Sequence, residues 1–331
     1  MNRRKFVVTS AVSMLVITIA VVGLAFYWDF AAKAFVRDLP SAVHYLPADS
    51  QAVFGMNVQA FVASPIYAQF VQKHEQEIAT DLSQVIAKTG VDPLNDIDYV
   101  IGVGRALQPK GAGVVIATGR FKQDAITNFI NTSLINHGNV SPTTLNYDGA
   151  TVLMIPESNG DKLEKGVAFL SGSEIALGDL NSLKAVLDVR QGTAAGINSN
   201  PTLSALLNKL DSTEMFWFAG DPASVLSKAP ANAPIPALSS IQSIFGTLNL
   251  TTAVNGKITV TAKDDTSAGQ LADFARGLVA LGNLAGAQNP DLAALVRGVQ
   301  ITQRANEFDV SVTIPLDLLQ KMETAKAQIK K

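Results

Sequence analysis

The chain has 331 residues, of which 47% are hydrophobic and 16% are charged. Without the four basic residues and one acidic residue of residues 1–34, the net charge falls from −2 to −5. Such an acidic remainder is a poor match to nucleic acid, whose phosphates require clustered lysine and arginine. Because the chain contains no cysteine, disulfides, thiolate metal sites and cysteine nucleophiles are excluded.

An uncharged run covers residues 6–28, directly after Arg3, Arg4 and Lys5. As a helix it would extend about 35 Å, enough to cross a hydrocarbon core of about 30 Å. Positive flanks favour the cytoplasmic side. We therefore expect residues 1–34 to hold a transmembrane anchor that contacts the membrane through residues 6–28. The protein would be a single-pass protein of the bacterial cytoplasmic membrane, with the main domain in the periplasm or outside.

Two alternatives for this segment stay open. Ala32-Lys33-Ala34 forms an A-x-A pattern that is typical of a signal-peptide cleavage site after Ala34. The residues around Arg3 and Arg4 also resemble a twin-arginine export signal, although Asn2, Val7 and Val8 depart from the usual pattern.

Residues 35–50 are predicted to be a tether, and residues 51–211 a first α+β module. In the first module, Ser64 and Pro65 predict the start of an amphipathic helix over 66–88. We expect strands at 52–58, 99–105, 113–120, 143–147, 150–156, 166–171 and 174–178, and further helices at 122–136, from Asp179 and from Pro201.

A second module is predicted over residues 212–331. It starts with a strand at 215–219, followed after a Pro-Ala stretch by a helix that ends at Gly246. Alternating apolar residues on both sides of Asn255-Gly256 predict a hairpin turn at that pair. A helix over 267–286, strands at 298–304 and 307–313 and a helix over 316–328 complete the module.

The two modules share a similar order of elements, which indicates an internal duplication. A β-α-β-β-α-β order is typical of ferredoxin-like folds. The predicted fold class is therefore α+β: an N-terminal transmembrane helix followed by two divergent repeats of ferredoxin-like order, with antiparallel sheets and helices packed on one face.

Few residues indicate catalysis or the binding of a metal or a nucleotide. Asp92, Asn95, Asp96 and Asp98 offer oxygen ligands for calcium but lack the spacing of an EF-hand, so a polar turn is the simpler interpretation. The glycines at 102, 104, 111 and 113 do not form a nucleotide-binding pattern and are expected to mark close backbone approach.

The histidines are scattered, and no serine lies in a nucleophile-elbow pattern. His74 is expected beside an apolar helix stripe and His137 at a helix C-terminus. We predict no catalytic residue, no metal ligand, no cofactor and no enzymatic activity.

An apolar, small-residue helix over 268–287 is a candidate surface for a ligand or a partner, although burial against its own sheet is the simpler interpretation. Gly282 and Gly286 have the spacing that permits close helix contact. Three consecutive aromatic residues suit a strand buried on both faces, or a strand with one ring exposed at a binding site. The candidate residues are Phe216, Trp217, Phe218, Phe274, Leu278, Leu281, Gly282 and Gly286.

The caps and turns over residues 43–120 resemble a known group of sequences. They comprise Leu46-Pro47-Ala48-Asp49-Ser50, Ser64-Pro65, Gly90-Val91-Asp92-Pro93 and Asp96-Ile97-Asp98. This stretch resembles bacterial envelope proteins of the domain of unknown function 3352 group. The resemblance implies an extracytoplasmic, non-enzymatic protein and carries over no active-site residue.

Three functional hypotheses follow. The first is a membrane-anchored module that binds an envelope protein partner or a second copy of itself, as a scaffold. The second is a carrier or sensor of a small apolar or lipid ligand. The third is an exported hydrolase, which would need a pocket with convergent polar groups.

Overall fold

The structure is a computed structural model that describes residues 39–105, 113–138, 142–155, 164–210, 213–222, 238–287, 290–318 and 321. The chain forms two compact units. The first comprises Met1–Ser204 and Asp211–Thr213, and the second comprises Ala205–Leu210 and Glu214–Lys331.

Among its described residues, the first unit combines four α-helices with seven strands. The helices are α1 (Val58–Val62), α2 (Pro65–Thr89), α3 (Gln123–Gly138) and α4 (Leu180–Gln191), and α5 (Pro201–Leu207) follows at the division between the units. The strands are β1 (Ala52–Asn57), β2 (Ile97–Gly104), β3 (Gly113–Gly119), β4 (Thr143–Tyr147), β5 (Ala150–Ile155), β6 (Lys165–Ser171) and β7 (Glu174–Asp179).

In the first unit, the strands lie in the order β1-β2-β3-β7-β6-β5-β4, and each neighbouring pair is antiparallel. Helix α4 begins at Asp179, whose Oδ1 accepts a hydrogen bond from the Ser182 backbone N at 3.0 Å. Leu183, Val186 and Leu187 of α4 are buried, as the apolar stripe of an amphipathic helix requires.

The second unit contains the remaining elements. They are β8 (Phe216–Gly220), β9 (Ile241–Leu250), β10 (Ala253–Ala262), α6 (Asp265–Gly286), α7 (Pro290–Arg297), β11 (Val299–Arg304) and β12 (Glu307–Pro315). The strands lie in the order β8-β9-β10-β12-β11, and each neighbouring pair is antiparallel.

Helix α6 forms the core of this unit with one face of its sheet. The fully buried members of this core are Ile241, Val260, Ala262, Ala268, Leu271, Ala272 and Phe308, with Ile244, Ile301 and Val310 packed against them. Side chains alternate between the two faces of a strand, so apart from the irregularity between Thr261 and Ala262 the intervening residues lie on the opposite face. The packing of α6 therefore determines which strand residues form the surface on the other face of the sheet.

The hairpin formed by β9 and β10 turns four residues earlier than predicted. β9 ends at Leu250 and β10 begins at Ala253, so the turn lies at residues 251–252 and Asn255-Gly256 lies inside β10. This register places Ile244 opposite Val260 beneath α6. Burial of these partners outweighs the turn preference of Asn-Gly. The helix predicted to end at Gly246 is also wrong, because that segment belongs to β9.

The predicted pair of ferredoxin-like repeats is wrong. In a ferredoxin-like unit another strand lies between the two strands that a helix connects. In the first unit, by contrast, β1 and β2 are connected through α1 and α2 and are direct antiparallel neighbours. Most sequential strands form hairpins, and the helix between β3 and β4 leads to an edge strand that three other strands separate from β3. The observed order does not support an internal duplication.

The predicted transmembrane helix, and the signal-anchor and single-pass cytoplasmic-membrane assignments built on it, are also corrected. Within the described ranges, no helix has both the length and the apolar character needed to cross a bilayer. The longest, α2, carries charged residues such as Lys73 and Glu77 along its sequence. Residues 6–28, where the span was predicted, lie outside the described residues.

Two glycines of the second unit are expected to respond in opposite directions to substitution by alanine. A Cβ at Gly298, before β11, would lie 2.2 Å from the Thr313 backbone oxygen. Backbone cannot move aside as a flexible side chain can, so Gly298→Ala should destabilise the protein by about 1–3 kcal/mol. Gly277 in α6 has open space, so Gly277→Ala should stabilise it by up to about 1 kcal/mol.

Urea denaturation of the two variants and the wild type measures both effects as shifts of the unfolding midpoint. Equal midpoints for the two variants would contradict the close backbone approach at Gly298.

Candidate functional site

The first half of α6 is fixed to the sheet. The Asp264 side chain caps the helix by accepting a hydrogen bond from the Ser267 backbone N at 2.7 Å. This bond lowers the pKa of Asp264, because it favours the ionised carboxylate. Ala268, Leu271 and Ala272 follow at helical spacing and are buried in the core.

The second half of α6 presents leucines to solvent. Leu278, Leu281 and Leu284 are 54%, 63% and 73% exposed. Their spacing of three residues places them along one side of the helix. We refer to Leu278, Leu281 and Leu284 as the apolar stripe, and no described residue of the chain buries it.

The other candidate residues of α6 lie beside the apolar stripe in different settings. Phe274 is half-buried. A Cβ at Gly282 would lie 2.9 Å from Val296 Cγ2, so this glycine allows α7 to approach α6 closely. Gly286 ends α6, and its burial is outside the description.

The three aromatic residues of β8 do not form one surface. Trp217 is 2% exposed and Phe218 is 39% exposed, because adjacent residues lie on opposite faces. The Phe218 ring covers Gly246, its partner on β9. Phe216 is half-buried on the same face as Phe218. Ile258, which also pairs with Gly246, is 41% exposed on that face.

A polar cavity lies on the opposite face of the second unit's sheet. Its volume is about 240 Å³. Alternate residues of β10, β11 and β12 supply most of its lining, together with one residue of β9 and one from the segment after α5. The lining residues are Lys209, Phe245, Lys257, Thr259, Thr302, Arg304, Glu307 and Asp309.

Both carboxylates of the polar cavity are engaged. Asp309 accepts a hydrogen bond from Thr259 Oγ1 at 2.6 Å and pairs with Lys257 Nζ at 2.9 Å. Glu307 Oε1 lies 3.1 Å from Lys209 Nζ and accepts a hydrogen bond from Thr261 Oγ1 at 3.2 Å.

The positive surroundings keep Asp309 ionised. Partial burial opposes ionisation and would raise its pKa. Hydrogen bonds from Thr259 and Lys257, with the charges of Lys257 and Arg304, outweigh that effect and lower the pKa below its ordinary value. An acid with a lowered pKa is a poor general acid or base near neutral pH. The cavity lining also contains no histidine, cysteine or serine that would act as base or nucleophile.

The aspartate loop considered for calcium uses its oxygens internally. Asp92 Oδ1 accepts hydrogen bonds from the Leu94 and Asn95 backbones at 3.0 and 3.3 Å. Asp96 Oδ2 accepts one from the Asp92 backbone at 2.8 Å. These bonds are those of a turn after α2, and no metal-binding cluster of acidic or histidine residues occurs among the described residues.

The remaining candidates do not assemble into a site. Gly104 pairs with Gly113 across β2 and β3, and a Cβ at Gly113 would lie 2.4 Å from the Val103 oxygen. Gly111 lies outside the described residues. His74 and His137 belong to helices, but their side chains are outside the description.

Sequence reasoning missed Leu284 and the whole polar cavity. The charged and threonine residues at alternate positions of 257–261 and 307–311 were the available signal, since they indicate a solvated face. The pairing of β10 with β12, which brings Thr259 opposite Asp309, follows from the tertiary register and not from the local pattern.

No protein-family model and no curated protein matches the chain. One solved structure, described as crystal form I of TP0453, is similar to it at a TM-score of 0.43 and 10% sequence identity. The similarity covers 88% of this chain and 99% of that one. At this level of similarity neither fold nor function carries over to this chain.

The hydrogen bond from Thr259 makes a testable contribution to the ionisation of Asp309. Thr259→Val removes the hydroxyl donor and should raise the pKa of Asp309. Carbon-13 NMR titration of the Asp309 carboxyl measures this change. Thr302→Val is the matched control, because Thr302 lines the same cavity and is the cross-strand partner of Asp309, but its hydroxyl does not donate to the Asp309 carboxylate.

The same titration predicts a change of stability with pH. A lowered pKa in the folded state stabilises the fold above the unfolded-state value of about 3.9, and the contribution is lost as the pH falls through the folded-state pKa. Thr259→Val should therefore be less stable than Thr302→Val near pH 6, with a smaller difference near pH 2. A Thr259→Val titration identical to that of Thr302→Val would contradict the assignment.

Proposed function

We propose that this protein is a non-enzymatic module that binds a protein partner through the apolar stripe of α6. The observation that supports this most strongly is the exposure of three leucines, each more than half accessible, on one side of a helix. Single exposed apolar residues are ordinary, whereas a contiguous row is typical of an interaction surface.

The apolar stripe supplies part of the binding free energy of such a contact. Complete burial of a leucine side chain contributes about 1.5–3 kcal/mol. The three leucines are already partly buried, and association opposes binding through lost translational, rotational and side-chain freedom. The stripe therefore supplies the apolar centre of an interface, and neighbouring polar contacts have to supply the remainder.

The cellular location proposed for this function is based on the amino-acid sequence. The resemblance of residues 43–120 to bacterial envelope proteins of the domain of unknown function 3352 group supports a role in the cell envelope. The partner is another envelope protein or a second copy of this chain. A helix face of this kind commonly docks into an apolar groove on its partner.

A carrier of an apolar ligand is the second candidate function. Phe218 and Ile258, 39% and 41% exposed on the face of the sheet that α6 shares, favour it. A carrier, however, encloses most of its ligand within a cavity. The leucines of the apolar stripe are exposed, which fits a flat protein contact better. Organic extraction of the purified protein that yields a stoichiometric lipid would favour the carrier instead.

Photo-crosslinking in cells of the native host tests the proposed interface. A photoreactive amino acid replaces Leu281 in one variant and Leu278 in another, and both should give the same discrete protein adduct. Ile86 of α2 is the matched control position, because it is apolar and 38% exposed but lies in the first unit.

The control position should give no such adduct. Adding Leu284→Gln to the Leu281 variant should reduce the adduct. The same adducts at positions 86 and 281, or no discrete adduct at 278 and 281, would contradict the proposal.

A further inference from the structure

We infer that the polar cavity of the second unit is a binding site for a small organic carboxylate. The site lies on the face of the sheet opposite to the α6 core and does not depend on the proposed partner interface. Its volume of about 240 Å³ is below the roughly 300–1,000 Å³ of pockets that take drug-sized ligands. The cavity therefore suits a small molecule or a single side chain.

The charge of the lining specifies an anion. Three cationic side chains, Lys209, Lys257 and Arg304, surround two carboxylates and leave one positive charge in excess. The excess charge is that of Arg304. Arg304 and Glu307 are direct partners across β11 and β12, yet Glu307 pairs with Lys209 and Thr261 instead. The Arg304 charge acts on Asp309, but its guanidinium forms no direct ion pair or hydrogen bond with the side chains that the structure describes.

The fixed ion pairs determine which anion fits. A planar carboxylate matches the fork of a guanidinium and carries the single charge that the lining leaves unbalanced. A phosphate group carries about −1.5 to −2 charges near pH 7, so Glu307 and Asp309 repel it more strongly than a singly charged carboxylate. The chemistry of the lining therefore favours a carboxylate over a phosphate.

The remaining lining indicates an organic acid. Phe245 gives the cavity an aromatic wall on the same face as Thr259, its partner on β10. A short aliphatic chain attached to the carboxylate would contact this ring while Arg304 holds the charged end. A free carboxylic acid and a glutamate side chain of a peptide present the same chemistry.

Saturation-transfer NMR of the full-length protein with butyrate tests the site. Arg304→Gln should weaken butyrate binding about tenfold or more, since a hydrogen bond to a charged group contributes about 1.5–3 kcal/mol. Arg276→Gln is the matched control, because it removes the same charge from an exposed arginine that pairs with Asp273 outside the cavity. It should leave butyrate binding within about twofold of wild type.

Two further probes identify the ligand chemistry. Butyramide, which is the same size but neutral, and inorganic phosphate should bind more weakly than butyrate. If N-acetylglutamate α-amide competes with butyrate, a peptide side chain also qualifies as a source. The proposal is overturned if butyramide or phosphate binds as well as butyrate, if butyrate does not bind, or if Arg304→Gln binds butyrate as wild type does.

Discussion

The packing of the first half of α6 onto one face of its sheet determines both surfaces of the second unit. Ala268, Leu271 and Ala272 are buried against Val260 and Phe308. Because the helix is continuous to Gly286, its second half carries leucines that the described core does not cover. Because strand residues alternate, the same packing directs the residues between the core positions to the opposite face, where the polar cavity forms.

The two surfaces differ in chemistry and suit different functions. The apolar stripe gains free energy when water is removed from it, and that gain is non-directional. The polar cavity contains ion pairs and the Arg304 guanidinium, which is in no direct ion pair with a described side chain, and these favour a ligand of defined charge and shape. A scaffold module that also binds a small organic acid would need the apolar stripe for the partner and the polar cavity for the acid. Each of these surfaces has its own test.

Local patterns in the sequence predicted some elements well. Ser64-Pro65 marks the start of α2, and Asp179 caps α4 as expected. The long helix near 267–286 is α6 in the structure. These features depend on neighbouring residues, so a single sequence contains the information. In the candidate surface, Leu278 and Leu281 are exposed, but Trp217 is buried and Phe218 covers Gly246.

Other features depended on contacts between distant residues and could not be read locally. Asn255-Gly256 is a strong turn signal, yet the register that pairs Ile244 with Val260 places it within β10. The same order of strands and helices is compatible with a ferredoxin-like sheet or with the observed strand order, because element order does not state which strands become neighbours. Exposure of Leu284 depends on where α6 leaves the core, which no spacing of apolar residues indicates.

The free energy of unfolding of a Leu278→Gln/Leu281→Gln double variant tests the central claim most directly, because it shows whether the apolar stripe is uncovered in the isolated protein. An uncovered stripe predicts a value within about 1 kcal/mol of wild type, since exposed substitutions each change stability by about 0.5 kcal/mol or less. A loss of about 4 kcal/mol or more, the scale of two large-to-small changes in a core, would show that the protein buries these leucines itself. That result would contradict the account.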